Sequence, residues 1–299
     1  MGKIYTALGL MSGTSMDGVD ASVIQTDGKS KYKAILDKYF EYPKNIYKNL
    51  TTLRDKIKSS KDLKKYQKQI KSVEKEITIF HAESVNKILK KTPANINFIG
   101  FHGQTIFHNA KEKISKQLGD GNLLSKLTKK NVVYDFRQND LKNGGNGAPL
   151  TPIFHKLLKE KFKIEDACFV NIGGIINTTD IWGNDYMSGC DVGPGMCLLD
   201  QWMRINTKQK YDKYGKISKS GKVNKIVFEK LKDNLYQKEN EYSNNNPQTL
   251  SYDIKDFDLS IVKSLSLEDG AATLLEFTAS SLYPTLKIAE KNKNTIILC

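Results

Sequence analysis

A strand, a turn of small polar residues and a second strand occur twice in this sequence, and that repeat limits the fold more than any other pattern in it. The first copy runs Ile4-Tyr5-Thr6-Ala7-Leu8-Gly9-Leu10-Met11, then Ser12-Gly13-Thr14-Ser15-Met16-Asp17-Gly18, then Val19-Asp20-Ala21-Ser22-Val23-Ile24-Gln25. Short apolar runs bounded by turn formers read as buried strands. The second copy is Ala167-Cys168-Phe169-Val170-Asn171-Ile172, the pair Gly173-Gly174, and Ile175-Ile176-Asn177-Thr178-Thr179-Asp180. Two α/β halves of one pattern, facing each other, are what a cleft-binding fold built by duplication requires. The likeness is of pattern and not of identical residues.

The remaining segments fill in both halves. A third strand, Tyr32 to Tyr42, precedes Pro43 and completes a meander. Residues 44–92 are rich in Lys, Glu, Leu and Ile at helical spacing and predict two helices. Asn97 to Phe101 returns to strand, ending at His102-Gly103-Gln104-Thr105. After residue 130 the pattern restarts, with a strand at Val132 to Phe136 and a helix at Thr151 to Lys161. A last helix, Leu267 to Ala289, opens on Glu268-Asp269 and leads to an apolar strand, Thr295 to Cys299. Termini are normally polar and exposed, so a buried strand there creates the expectation that more chain follows. A length of 299 residues predicts two domains. The expected lobes are 1–131 and 132–299.

Charge invites a nucleic-acid reading, since 47 Lys+Arg against 33 Asp+Glu leaves +14. Only Arg54, Arg137 and Arg204 are arginine, so 44 of the cations (47 minus 3) are lysine. Arginine supplies the planar fork that reads guanine and clamps phosphate, whereas lysine is a hydrated point charge. The lysines spread over stretches such as Lys56 to Lys75 and Lys208 to Lys232, which read as solvated helix faces. No nucleic-acid partner is expected. No apolar run approaches the roughly 20 residues of a spanning helix, and no basic and apolar leader opens the chain. Met1-Gly2-Lys3-Ile4-Tyr5-Thr6 fits a loose myristoylation pattern, but burial of the first strand would exclude a lipid anchor. Cys168, Cys190, Cys197 and Cys299 form no C-x-x-C pair and read as reduced, buried thiols of a cytoplasmic protein.

Three segments could carry chemistry. The seven-residue turn Ser12 to Gly18 is long for a hairpin, which prefers two to five loop residues. Its glycines let backbone N–H groups approach a phosphate, its hydroxyls add donors, and Asp17 could hold Mg²⁺ directly or through water. It lacks the lysine of a P-loop; an ordinary turn is the competing reading. Second, Asp135-Phe136-Arg137-Gln138-Asn139-Asp140 through Gly144-Gly145-Asn146-Gly147-Ala148-Pro149 places a rare arginine in a glycine-rich loop after a strand. That suits bidentate binding of a carboxylate or phosphate, and a salt bridge to Asp135 or Asp140 is the alternative. Third, Cys190-Asp191-Val192-Gly193-Pro194-Gly195 puts an acid at the end of the strand Tyr186 to Gly189, before the helix Met196 to Arg204. Such a carboxylate can serve as general base or metal ligand, or merely cap the helix. Of the histidines, His102 could donate to a ligand oxygen; His81 and His155 sit in helical patterns and read as packing or surface residues, and His108 is undecided. No hydrolase triad stands out.

Together these segments resemble the anhydro-N-acetylmuramic acid kinases of the actin-like, hexokinase-like ATPase superfamily. The resemblance rests on Gly9 to Asp20, Gly100 to Thr105, Gln117 to Leu124, Val133 to Pro149, Asn171 to Ile175, Asp191 to Gly195 and Asp269 to Leu274, in family order. It implies a duplicated actin-like, ribonuclease H-like α/β fold with a central nucleotide cleft. It further implies opening of the 1,6-anhydro ring of anhydro-N-acetylmuramic acid by water and phosphorylation at O6. ATP and Mg²⁺ would be used, and N-acetylmuramate 6-phosphate and ADP formed, in peptidoglycan recycling. Asp191 matches the catalytic aspartate, which takes a proton from the attacking water. Gly13, Thr14, Ser15, Met16, Asp17, Gly18, Val19 and Asp20 match the ATP phosphate loop, with Asp17 the Mg²⁺ partner. Asn171, Gly173 and Gly174 match the second phosphate loop, beside Gly193 and Gly195. His102, Gln104, Arg137, Gly145 and Gly147 fall where the sugar and its lactyl carboxylate are held. Family members commonly dimerise, so a homodimer is an open expectation.

Three departures accompany the resemblance. Met196 follows Gly193-Pro194-Gly195 where the family usually has Asn, and Tyr252, ending Pro247-Gln248-Thr249-Leu250-Ser251-Tyr252, stands where it tends to have arginine. The family also continues past the strand ending at Cys299 into a triple-glycine adenosine loop and further elements. The second lobe is therefore expected to be incomplete, which leaves three readings open: the kinase, a truncated pseudoenzyme or sugar-binding remnant, and a kinase of another sugar.

Overall fold

In the computed structural model the described residues are 3–92, 94–243 and 252–299. The myristoylation pattern at Gly2 and the run from Pro247 to Ser251 lie outside them. The chain forms two compact units, Met1–Gly147 and Ala148–Cys299.

In the first unit, β1 (Tyr5–Ser12), β2 (Gly18–Thr26) and β3 (Tyr32–Glu41) form the expected antiparallel meander. β4 (Phe98–Asn109) lies on the other side of β1 and parallel to it, with Gly9 opposite Gly100. β1 is not buried on both faces: Leu8, Leu10 and Ser12 point inward while Met11 is 46% exposed. That alternation is the period of a half-covered sheet. The covering layer is helical. Between 44 and 92 there are three helices rather than two: α1 (Lys44–Lys56), α2 (Ser60–Lys65) and α3 (Gln67–Leu89). The extra break falls where Ile57 turns extended and Asp62 Oδ2 accepts from the Ser59 N–H at 2.9 Å, a capping arrangement that starts α2 afresh. Leu50 and Leu53 of α1 and Ile77 and Val85 of α3 close over Leu8, Val19 and Ile99.

Two features extend this sheet beyond the sequence reading. β4 does not stop near Thr105 but bulges there and runs to Asn109, pairing antiparallel with β5 (Ile114–Leu118). After α4 (Gly121–Thr128), capped by Asp120 Oδ1 accepting from Leu123 N at 2.9 Å, β6 (Asn131–Tyr134) returns parallel to β4. Its ladder makes residues beyond 131 part of the first sheet, so the division falls after Gly147, whereas the sequence reading opened the second lobe at 132. The expected strand to Phe136 ends at Tyr134 because Asp135 turns to φ 62°. α5 (Gln138–Lys142) then occupies part of what read as loop.

The second unit repeats the plan. β7 (Ala167–Ile172), β8 (Ile175–Trp182) and β9 (Tyr186–Pro194) are antiparallel, and β10 (Thr295–Leu298) runs parallel to β7, giving the order β10-β7-β8-β9. The first unit reads β3-β2-β1-β4, so both place a meander and then a strand parallel to its first member. The repeat seen in the sequence is thus a repeat of topology. α6 (Pro152–Phe162) starts with proline in its first turn, where a missing N–H costs nothing. α7 (Cys197–Asn206), α8 (Lys225–Ser243) and α9 (Leu267–Lys291) gather Leu198, Trp202, Met203, Val262 and Phe277 into a second core. The lysine-rich stretch from 208 is helical only from Lys225; before it lie two short 3-10 turns, with Tyr214 at φ 61°. Burial pushes the Cys168 and Cys197 thiols up to about 12, as befits inert core cysteines, but Cys190 is half-buried and Cys299 exposed. Among the described residues no helix is long and apolar enough to cross a membrane.

Candidate functional site

With Ser12 and Gly18 inside strands, the turn between β1 and β2 shrinks to Gly13–Asp17, and each part of it is pinned. The Gly13 carbonyl accepts from Gln104 Nε2 at 2.8 Å and from Met16 N at 3.2 Å. Met16 adopts φ 58° and sinks its side chain into the core, 2% exposed. The Asp17 carbonyl accepts from Tyr42 N at 2.8 Å, and its Oδ1 accepts from Ser15 Oγ at 2.6 Å. Gly18 cannot carry a side chain, since a Cβ there would lie 2.6 Å from the Tyr39 ring. The side chains of Met16 and Val19 face the core, so only the backbone of these two positions could serve a ligand. Thr14, Ser15 and Asp20 are exposed, and Asp17 is half-buried. Burial and then the neighbouring Asp17 charge raise the Asp20 carboxyl above its usual range. Burial, followed by the Asp17, Glu41 and Asp20 charges, pushes the Tyr39 phenol up to about 12.

Sequence reasoning missed a buried polar chain beneath this turn. His81 Nδ1 lies 2.7 Å from the Ile77 carbonyl, which can only accept, so the ring proton sits on Nδ1. Nε2 is then an acceptor for Ser12 Oγ at 3.2 Å, which in turn takes the Tyr42 hydroxyl proton at 3.0 Å. All three side chains are 4% exposed or less. Burial lowers His81 to about 4, keeping it neutral. The signal available was a histidine on an apolar helix face, and periodicity cannot name its partner 69 residues away.

The arginine loop is built the same way. Arg137 donates from Nε and Nη2 to His102 Nε2, at 3.1 and 2.9 Å, and from Nη1 to the Gly147 carbonyl at 2.5 Å. Asp140, one of the acids weighed as an ion-pair partner, instead accepts from the Gly147 N–H at 2.7 Å through Oδ2. Its backbone carbonyl accepts from Gly145 N at 2.9 Å, so it shapes the glycine loop. His102 was expected to donate to a ligand oxygen. Its Nδ1 instead bonds the Gly103 carbonyl at 2.8 Å and its Nε2 faces the guanidinium, so both nitrogens are engaged inside the protein.

In the second unit Asp191 lies inside β9, opposite Asn177, and not at the end of a shorter strand. Its Oδ2 accepts from the backbone N–H of Tyr252 at 2.8 Å. The Gly193-Pro194-Gly195 segment is stapled to the second glycine turn: Gly195 N and Cys197 N donate to the Gly174 carbonyl at 3.0 and 3.2 Å, and Met196 N to the Gly173 carbonyl at 2.9 Å. A Cβ on Gly195 would overlap the Gly173 carbonyl oxygen. What approaches the Gly-Pro-Gly segment so closely is therefore the partner turn itself, and the first amides of α7 are spent on it. Met196 starts α7 without a side-chain cap and packs partly buried against the second core. Tyr252 is 6% exposed in the same core.

Two sheets of one topology, each with a glycine turn between its first two strands, define an α/β protein built on a repeated fold. The chain belongs to the anhydro-N-acetylmuramic acid kinase family, whose sequence profile matches residues 5–299. Curated relatives agree. The anhydro-N-acetylmuramic acid kinase of Pelagibacter ubique is 54% identical over 304 residues, covering 100% of this chain and 80% of the relative. Those of Rhizobium etli and Agrobacterium fabrum are 36% and 35% identical, over the same shares of the two chains. The protein is accordingly a kinase, of a family that implies nucleotide use.

Proposed function

We propose that the protein opens the 1,6-anhydro ring of anhydro-N-acetylmuramic acid with water and phosphorylates O6, consuming ATP and giving N-acetylmuramate 6-phosphate and ADP. The observation that carries this reading is the Asp191 carboxylate, fixed at Oδ2 by the Tyr252 N–H at 2.8 Å on a strand stapled to a glycine turn. A carboxylate held in one rotamer is a preorganised proton acceptor.

In this reading Asp191 takes a proton from water as the water oxygen bonds C1 of the sugar and the C1–O6 bond breaks. O6 then attacks the γ-phosphorus, the bond to the β,γ-bridging oxygen breaks, and ADP leaves. Gly13 to Asp20 and Asn171 to Gly174 supply backbone N–H groups and hydroxyls to the phosphates. Arg137 takes the lactyl carboxylate as a planar fork. The side-chain groups beside Asp17, the Ser15 hydroxyl and the Asp20 carboxyl, offer oxygens, which suits a hard cation; burial, and after it the Asp17 charge, raises that Asp20 carboxyl. Among the described residues no cluster of three His, Cys, Asp or Glu could hold a metal, so Mg²⁺ would rely on phosphate oxygens and water for most of its shell. Bound there, Mg²⁺ would neutralise phosphate charge.

The test is to incubate protein, ATP, Mg²⁺ and the anhydro-sugar in ¹⁸O-water. One ¹⁸O at C1 of a 6-phosphosugar is expected. A phosphosugar without label overturns the ring-opening step, and sugar binding without any nucleotide turnover overturns the kinase reaction for this chain.

A further inference from the structure

His102 has no part in that mechanism, yet its surroundings fix its protonation as tightly as any group in the protein. The Gly103 carbonyl lies 2.8 Å from Nδ1 and can only accept, so Nδ1 carries the proton. Two guanidinium donors of Arg137 converge on Nε2, at 3.1 and 2.9 Å, so Nε2 presents its lone pair. Adding a second proton would aim an N–H at a permanent cation. Burial, and after it the Arg137 charge, lower the group to about 4.

The backbone is shaped to permit this. Gly103 adopts φ 74°, and a Cβ there would overlap the Leu118 carbonyl, so the position next to the ring is closed to any side chain. On the other edge of the guanidinium, the Gly147 carbonyl accepts from Nη1, and Gly147 is held in turn by Asp140. An arginine serving only as packing would not need an acceptor on both sides. This one has its plane set from both.

We infer that His102 is a positioning residue, acting as a neutral Nδ1–H imidazole whose Nε2 orients the Arg137 fork toward a carboxylate of the sugar. The inference rests on the reading of Arg137 as the lactyl-carboxylate ligand. His102 then contributes to affinity for the carboxylate-bearing substrate through Arg137 alone. An apolar residue of the same size would fill the space but leave a desolvated guanidinium edge without its partner.

Two substitutions separate the two ring nitrogens. His102→Asn keeps a donor near Nδ1 and removes the Nε2 acceptor; His102→Gln places a carbonyl oxygen near Nε2. Steady-state kinetics are measured with anhydro-N-acetylmuramic acid and with the same anhydro-sugar bearing a plain hydroxyl instead of the lactyl ether. Loss of a charged hydrogen bond predicts that His102→Asn raises KM for the lactyl sugar about tenfold or more, with kcat much less affected. His102→Gln should recover most of that loss. The penalty should vanish with the lactyl-free sugar, and His102→Asn/Arg137→Ala should be no worse than Arg137→Ala alone. Additive penalties, or an equal penalty on the lactyl-free sugar, overturn the positioning role. A wild-type KM in Arg137→Ala instead overturns the assignment of Arg137 to the carboxylate. Nitrogen-15 spectra of the wild-type histidines give an independent reading: a protonated Nδ1 and bare Nε2 at His102 are expected, and the opposite tautomer overturns the inference whatever the kinetics.

Discussion

Gln104 donates from Nε2 to the Gly13 carbonyl at 2.8 Å, tying β4 to the turn that leaves β1 across 91 residues of sequence. Two residues before it, His102 holds Arg137. One short stretch of β4, next to the bulge where its partner changes, therefore anchors both the first glycine turn and the arginine loop.

Gln104 is wholly buried and its Oε1 has no hydrogen-bond partner among the described residues. Replacing it by Leu removes that unsatisfied oxygen but leaves the Gly13 carbonyl only the longer bond from Met16 N, so the two effects partly cancel. Gln104→Leu should cost about 1 kcal/mol in urea melts, while Gln104→Glu, which buries a carboxyl beside a carbonyl, should cost about 3 kcal/mol. Both should raise the KM for ATP more than that for the sugar, because the turn they release is the one assigned to phosphate. Equal stability of the two variants would contradict the hydrogen bond.

Gly195→Ala tests the staple between the glycine turns. The added methyl would meet the Gly173 carbonyl, a backbone atom that cannot swing away, so the turns must part. A loss of about 2–4 kcal/mol is expected by thermal or chemical denaturation, with kcat falling in step. Gly28→Ala is the comparison: nothing lies within 4 Å of a Cβ there, and its φ of 74° alone should cost about 1 kcal/mol.

The buried histidines give the fold an acid limit. His81 and His102 are both lowered from 6.5 to about 4, by burial first in each case. Unfolded, they take up protons below about 6.5; folded, they resist until about 4. The unfolded state thus binds more protons across that window, so stability is full above 6.5 and falls as pH drops toward 4. These two groups should contribute a slope approaching two protons in denaturant titrations at several pH values, to which His155, also lowered by burial, adds. His81→Gln, which removes one titrating group, should reduce it by about one.

How far the sequence could be read depended on the range of the interaction concerned. The glycine turns were legible because each sits where an apolar run breaks, Asp191 and Arg137 drew notice as candidates for the same reason, and the order of the repeat carried the topology. Asp191 was misplaced relative to its strand because Gly193 and Pro194 look like a break, yet they continue β9 opposite Ile176 and Ile175. The unit boundary was missed because β6 belongs to β4 by hydrogen bonding alone, a fact no local pattern encodes. His81 and Gln104 were hardest: each acts through a partner 69 or 91 residues away. Met196 shows the reverse limit. Its backbone is αR at φ −82°, ψ −4°, outside the extended geometry of a side-chain cap, so asparagine there would not cap α7 in this conformation.

Asp191→Asn separates the chemical role proposed for this carboxylate from its structural one. The asparagine oxygen can still accept from the Tyr252 N–H, so the hydrogen bond that seats the side chain survives and the melting temperature should shift little. What disappears is a group able to take a proton from water. Removal of a general base predicts that kcat falls by about 10²–10⁴-fold while KM for the sugar changes much less. Single-turnover assays with ¹⁸O-water then locate the loss: if Asp191 is the base, labelled C1 and the 6-phosphate should disappear together. A variant that still opens the ring at the wild-type rate but fails to phosphorylate would move the base for ring opening to another residue and leave Asp191 only the deprotonation of O6.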